Sequence, residues 1–413
     1  VSTLEKNIGG WNISGTLLFE AVHDGNAGTD DSPARYTNNG QKNQFRKEQA
    51  YLYLSKQIDE NTRFFGEYIH GADDTQNPNG GMGEMGEGGL WRRFYIEGKL
   101  PYDIGFTVGR FEVNFEEDYG LFNDDEPVFG HYYTDGFKFA KTWGSFTATA
   151  GIGRNQSYNA PGGVDTYDPN GEAVYNPYNV EAMYYMLNLH YQPNERFFGG
   201  LLGYWKHADN DYTTYIDAKG VTHNDPNESV QTYGAYAAYS IAPSMAIKGV
   251  FYKQKLKENY AGGCNDSPYA WKAILDIKQD LLKYTSLWIE YDEEQNNFWG
   301  AHDERFGIGG SACPTLLDNI TSIRNGNKTK ALFIRAEQQW NDKWSSLLRY
   351  GRADFGTDGY DKTTEFQVGV TYQYTPAMAF TLFYDAVDYG DGAAQTDFKG
   401  SDHVINFRTT VNF

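Results

Sequence analysis

Segments of alternating apolar and polar residues, joined by links that are in turn short and long, run the length of this chain. Residues 364–373 show the pattern most cleanly. Thr364, Phe366, Val368, Val370 and Tyr372 oppose Glu365, Gln367, Gly369, Thr371 and Gln373. Period-two alternation puts one row on each face of a β-strand. In 183–191, Met183, Tyr185, Leu187, Leu189 and Tyr191 oppose Asn188 and His190. The final stretch alternates to its last residue. Ile405, Phe407, Thr409, Val411 and Phe413 share one face, with Asn406, Arg408, Thr410 and Asn412 on the other. The first such segment does the same: Ile13, Gly15, Leu17, Phe19 and Ala21 oppose Asn12, Ser14, Thr16 and Glu20. Some segments, 197–206 among them, are apolar on both faces. The count is about 18 strands, or about 16 if one long loop is divided wrongly.

The links decide the architecture. Short ones fall at 59–61, 101–103, 142–145, 193–195, 242–244, 281–283, 340–342 and 375–377. Between them lie long polar stretches at 23–44, 72–89, 113–131, 155–180, 207–228, 258–268, 293–327, 354–361 and 389–400. Strict alternation makes neighbouring strands antiparallel and gathers the long loops at one end. A sandwich or propeller has no reason to sort its loops this way. An all-β transmembrane antiparallel barrel does, with short periplasmic turns and long external loops. In lipid no strand edge can stay open, so the segment 11–22 must pair with 401–413.

Composition agrees. Mean hydropathy is -0.65, and no run of 18 apolar residues exists to form a membrane-crossing helix. A barrel needs none, because alternate residues of each strand face a polar lumen. The 33 Tyr, 26 Phe and 9 Trp suit girdles where a ring sits in lipid and its polar edge in water. A net charge of -20 repels phosphate backbones and excludes nucleic acid as partner. The chain begins at Val1 without an initiator Met, as a processed chain or an excised part does. Its expected division is 1–10, a linker, and 11–413, the barrel. Val1, Leu4 and Ile8 have the three-then-four spacing of a coiled-coil end, though a single heptad equally suits a short amphipathic turn or a tail.

Motifs of catalysis are missing: there is no G-x-S-x-G, H-E-x-x-H, phosphate loop or C-x-x-C. No cofactor is expected. The acidic clusters lack EF-hand spacing, so no metal is expected either. Cys264 and Cys313 lie in consecutive long loops at the same end, which predicts a disulfide between them. Tyr95, Tyr184 and Trp288 share faces with polar neighbours and could form a stacking track for sugars; lumen packing is the plainer reading.

The ends VSTLEKN and FRTTVNF, the link IGGWNISG and the acidic, Tyr-rich barrel between resemble the OmpM-type porins, the S-layer-homology-domain porins of diderm Firmicutes. The resemblance implies an outer-membrane porin, a homotrimer, and a coiled coil in the periplasm. It also implies a cell-wall-binding S-layer-homology domain that these 413 residues lack, so a wall contact could come only through a missing N-terminal part. The expected function is general diffusion of small hydrophilic solutes and ions across the bacterial outer membrane, with outer-membrane lipid around the barrel. The alternatives are a sugar- or oligosaccharide-selective porin, and an anchor between membrane and wall with an incidental pore. No enzymatic reaction is expected.

General porins insert a constricting loop after their fifth strand, and the loop 113–131 holds that place here. Its own residues suit the role. Glu116, Glu117, Asp118, Asp124, Asp125 and Glu126 supply carboxylates, while Leu121, Phe122, Val128 and Phe129 could pin it to the wall. Arg93, Arg335, Arg349 and Arg408 share strand faces with polar residues and are the expected lumen bases. Carboxylates opposite arginines make a transverse field, and excess negative charge makes the pore prefer cations.

Overall fold

The computed structural model describes residues 9–25, 42–70, 90–121, 132–155, 164–167, 173–175, 182–208, 214–216, 222–224, 229–257, 265–295, 298, 328–354, 356, 361–390 and 400–413. Residues 1–8 of the 1–10 linker and both cysteines fall outside them.

The alternating segments become strands β1 (Trp11–Asp24), β2 (Asn43–Gln57), β3 (Thr62–His70), β4 (Leu90–Leu100), β5 (Ile104–Val113), β6 (Tyr132–Trp143), β7 (Phe146–Asn155), β8 (Ala182–Asn194) and β9 (Phe197–Ala208). They continue as β10 (Val230–Ala242), β11 (Met245–Leu256), β12 (Tyr269–Ile277), β13 (Ser286–Glu294), β14 (Thr329–Gln339), β15 (Trp344–Asp354), β16 (Thr363–Thr375), β17 (Met378–Asp388) and β18 (Ser401–Asn412). All belong to one 18-stranded sheet. Each pairs antiparallel with the next. β18 returns to β1 in a register running from Thr16↔Asn412 to Asp24↔Val404. The barrel is closed, as the lipid argument requires, and the count is eighteen rather than sixteen.

The two faces separate as the alternation predicts. Val368 is 38% exposed and lies on the outside, while its neighbour Gln367 is 1% exposed on the inside. Ile405 and Phe407 are likewise exposed and Asn406 buried. Aliphatic side chains such as Leu187, Leu189, Leu201 and Val370 hold the middle of the outer face. Exposed aromatics ring the short-turn end: Tyr102, Trp143, Tyr239, Tyr284, Trp340 and Tyr374. That order, aliphatic belt flanked by aromatic rings, is what a bilayer imposes on a barrel. No helix among the described residues is long and apolar enough to cross a membrane.

Two long connections carry more order than their polarity suggested. Short two-stranded ladders form between 164–167 and 173–175 and between 214–216 and 222–224. Strands of three or four residues are too short to show period-two alternation, so they leave no periodic trace in the sequence.

Candidate functional site: a loop seated in the lumen

Most of the inner face is polar. Glu67, Thr232, Lys272, Glu290, Gln367 and Asp385 all lie on the inner face and are buried. Lys272 Nζ donates to Glu290 at 2.8 Å, both side chains sealed from water. A buried pair of this kind resists loss of either partner, because the survivor is left charged and dry.

Apolar residues interrupt it. Met186, Leu202, Tyr204, Val230, Val250 and Tyr252 place an apolar patch on the inner wall of β8–β11, and they join one cluster with Phe115 and Leu121. The segment 197–206, apolar on both faces in the sequence, has this explanation. Its outer residues face lipid and its inner residues, Leu202 and Tyr204, face the loop that follows β5.

That loop opens with a single turn, α1 (Phe115–Asp118), whose ends cap themselves. The Asn114 side chain accepts from the Glu117 backbone N–H at 3.1 Å, satisfying an otherwise orphaned donor. At the far end Leu121 N–H donates to Glu116 C=O and Gly120 N–H to Glu117 C=O, each at 2.9 Å. This double closure needs a left-handed residue at Gly120, whose φ is +65°. The string N-F-E-E-D-Y-G-L thus carries both the start and the stop of its turn.

The turn docks far from its origin. Phe115 packs on Tyr204 of β9, ring centroids 5.7 Å apart. Tyr119 stacks on His190 of β8 at 4.3 Å and on Tyr236 of β10 at 4.8 Å, and Asn188 donates to its hydroxyl. Tyr236 in turn donates to Asn188 Oδ1 at 3.0 Å and meets His190 Nδ1 at 2.9 Å. Lys248 of β11 donates to Gly120 C=O at 2.9 Å and pairs with Asp276 at 2.9 Å. From β5 to β11 is six strands, a third of the ring. The segment leaves the rim after Val113 and enters the lumen.

Its carboxylates divide into two kinds. Glu116 is buried against the wall, within electrostatic reach of Lys272. Glu117 and Asp118 are exposed to the lumen. Barrel wall still surrounds Asp118, and this protein shell raises its carboxyl above the usual range, partly offset by the charge of Lys138. Asp124, Asp125 and Glu126 lie outside the described residues, as do Phe122, Val128 and Phe129.

The four expected arginines all lie on the inner face, and among the described residues three of them pair with wall carboxylates. Arg93 meets Glu67 at 2.5 Å and Glu112 at 3.3 Å. Arg335 meets Glu337. Arg408 meets Glu20 at 2.5 Å, across the closing seam. Arg349 is buried on β15, in register with Arg335 on one side and Gln367 on the other. A further base was missed. Arg92 also binds Glu67, at 2.5 Å, because a register shift sets Glu67 opposite Arg93 and Tyr68 opposite Trp91. The extra residue lets two consecutive arginines reach one buried carboxylate between the outward Trp91 and Phe94. The visible signal was two adjacent arginines between aromatics, W-R-R-F, which strict alternation cannot seat.

Tyr95, Tyr184 and Trp288 all belong to packed surfaces. Tyr184 is buried, Tyr95 lies on Phe65 at 5.3 Å, and Trp288 lies under the Lys248 ammonium at 4.8 Å. No cluster able to hold a metal occurs among the described residues.

Neither a protein-family profile nor a characterised protein sequence matches the chain. Its fold matches solved structures end to end. The outer membrane protein OpdK from Pseudomonas aeruginosa superposes with a TM-score of 0.53 at 10% identity, over 97% of this chain and 98% of that one. OmpF of Salmonella typhi, in complex with daunomycin, superposes with a TM-score of 0.51 at 15% identity, over 98% and 97%. At such identities the likeness is one of fold. The chain is an outer-membrane β-barrel of porin-like build.

Proposed function

We infer that this barrel is a general diffusion porin for small hydrophilic solutes and ions, that it prefers cations, and that the loop from Val113 onward forms its constriction. One observation carries the reading: an apolar patch on the inner wall of β8–β11 is covered by Phe115 and Leu121, and the same turn leaves Glu117 and Asp118 open to the lumen. A loop held this way narrows the passage and lines it with negative charge. Arg408 on β18 lies half the ring away from β9, so positive charge faces the loop across the lumen. Because that arginine is paired with Glu20, the field it adds is muted and the loop carboxylates set the sign. The pore works by passive diffusion, with no reaction and no cofactor.

Trimeric assembly, an OmpM-type ancestry and a wall contact through an upstream domain belong to the same reading, on the strength of the terminal motifs. The sugar-selective alternative is less well supported, since the three aromatics that would form its track are packed. Reversal potential and conductance in planar bilayers, with and without sugars, test the proposal. A cation-shifted reversal potential and no block by sugars support it. Anion preference, or block by a sugar at millimolar concentration, would reject it.

A further inference from the structure

We propose that the outer face of β14–β17 binds a phosphate-bearing lipid of the external leaflet, with Lys330 and Arg352 holding the phosphate. The outward row of β14, read toward the long-loop end, runs Ala336, Ile334, Leu332, Lys330. The row of β15 runs Leu348, Tyr350, Arg352. Both pass from hydrocarbon-like side chains to a cation, the order of acyl chain, interface and headgroup in a leaflet. Lys330 stands opposite Asp354, and Arg352 stands opposite Leu332. The two cations are therefore diagonal neighbours, about 7–8 Å apart at their bases, and their long side chains can converge on one anion.

Both are exposed, and neither makes an ion pair or hydrogen bond among the described residues. The carboxylates beside them are already engaged. Glu293 takes Lys328 at 2.8 Å, and Asp354 takes Lys362 at 3.0 Å. Lys330 feels Glu293 and Asp354 without a direct ion pair to either, and on a chain of net charge -20 two cations at headgroup height with no direct pair among the described residues favour an anionic neighbour. A basic pair at this level attracts phosphate by charge.

Beside Arg352, across the ladder at Thr364, a groove of about 240 Å³ opens on the outer surface; Tyr350, Phe366, Tyr384 and Ala386 are among its lining, and the buried, inward residues Glu365 and Asp402 lie beneath it. Ala386 makes the dip, since it sits between Phe366 and His403 in one cross-strand row. An acyl chain fits such a mixed aromatic and aliphatic floor. Asp388 borders the other edge, and its charge keeps a phosphate on the Arg352 side. The competing occupant is an acidic loop of a second copy. The cations sit directly above aliphatic rows that must face lipid, and this favours the lipid.

Native mass spectrometry of the detergent-solubilised barrel, titrated with dioleoyl phosphatidic acid or with dioleoyl phosphatidylcholine, tests the site. Wild type should retain the anionic lipid in preference to the zwitterionic one. Lys330→Ala with Arg352→Ala should weaken retention about fivefold per cation, roughly 30-fold for the pair. Arg352→Lys should keep most of it. Ala386→Trp should weaken retention with no change of charge, which also serves if the double variant folds poorly. Heat-modifiable gel migration reports folding of each. Equal retention of the two lipids by wild type, equal retention by wild type and double variant, or loss of self-association with lipid retention unchanged would each overturn the proposal.

Discussion

Gly15 and Phe413 exchange both of their backbone hydrogen bonds, Gly15 N–H to Phe413 C=O at 2.9 Å and Phe413 N–H to Gly15 C=O at 3.0 Å. The terminal residue thus completes the seam that β18 makes with β1. Its ring lies over Gly15, where an added Cβ would stand 2.5 Å from the ring and 2.5 Å from the Tyr51 carbonyl. Gly15→Val should therefore destabilise the barrel by about 1–3 kcal/mol. Phe413→Ala in the same chain should restore only part, because the Tyr51 carbonyl stays in place. Denaturant titration in detergent reads both. Full rescue by Phe413→Ala would show that the ring alone sets the constraint.

Facing is tested by arginine scanning on β16. Val368→Arg puts a charge among lipid tails and should cost about 2–4 kcal/mol. Thr371→Arg points into the lumen and should cost less than about 1 kcal/mol, the worth of the Thr371–Thr381 hydrogen bond. Equal losses would contradict the assignment of faces. Gln367 is a poorer partner for this comparison than alternation alone suggests, since it is packed between Arg349 and Asp385.

Strand positions were legible because one face of each strand meets lipid, so alternation is enforced by solvent on both sides. The segments 364–373 and 183–191 fall inside β16 and β8 with the faces the alternation gave them. What could not be read is what the lumen does with its own side chains. The inward apolar wall at Leu202 and Tyr204 blurred the pattern of β9, and only the loop above it explains them. The pairing of Arg92 with Arg93 on Glu67 depends on a bulge, which moves a side chain to the other face without any change of composition. Likewise Glu116, Glu117 and Asp118 look alike in sequence, and only the turn of α1 buries the first and opens the other two.

The loop latch predicts a gating phenotype. Tyr119→Ala removes the stacks on His190 and Tyr236 and should raise single-channel conductance and open-channel noise. Tyr119→Phe keeps the stacks but loses the bond from Asn188, worth about 1 kcal/mol, and should change noise far less. Conductance in Tyr119→Ala equal to wild type would mean that the turn does not bound the passage.

Cys264 and Cys313 are expected to be joined, closing a loop that stabilises by about 4 kcal/mol on a chain-entropy estimate. Thiol labelling of unreduced, denatured protein should modify neither. Labelling of both would remove the bond.

Acid should weaken the cation preference early. The Asp118 carboxyl is held above its usual range, so on lowering pH it gains its proton before an ordinary aspartate, whose pKa is about 3.9. The loss of selectivity should begin above that pH and should start lower in Asp118→Asn. Identical pH profiles for the two proteins would place Asp118 outside the ion path.

Reversal potential across a salt gradient bears most directly on the constriction. Glu117→Gln with Asp118→Asn should move it toward anions, with the shift shrinking as salt nears 1 M and the screening length falls to about 3 Å. Glu116→Gln alone, buried against the wall, should move it much less. A reversal potential unchanged in the Glu117, Asp118 double variant at low salt would contradict the account.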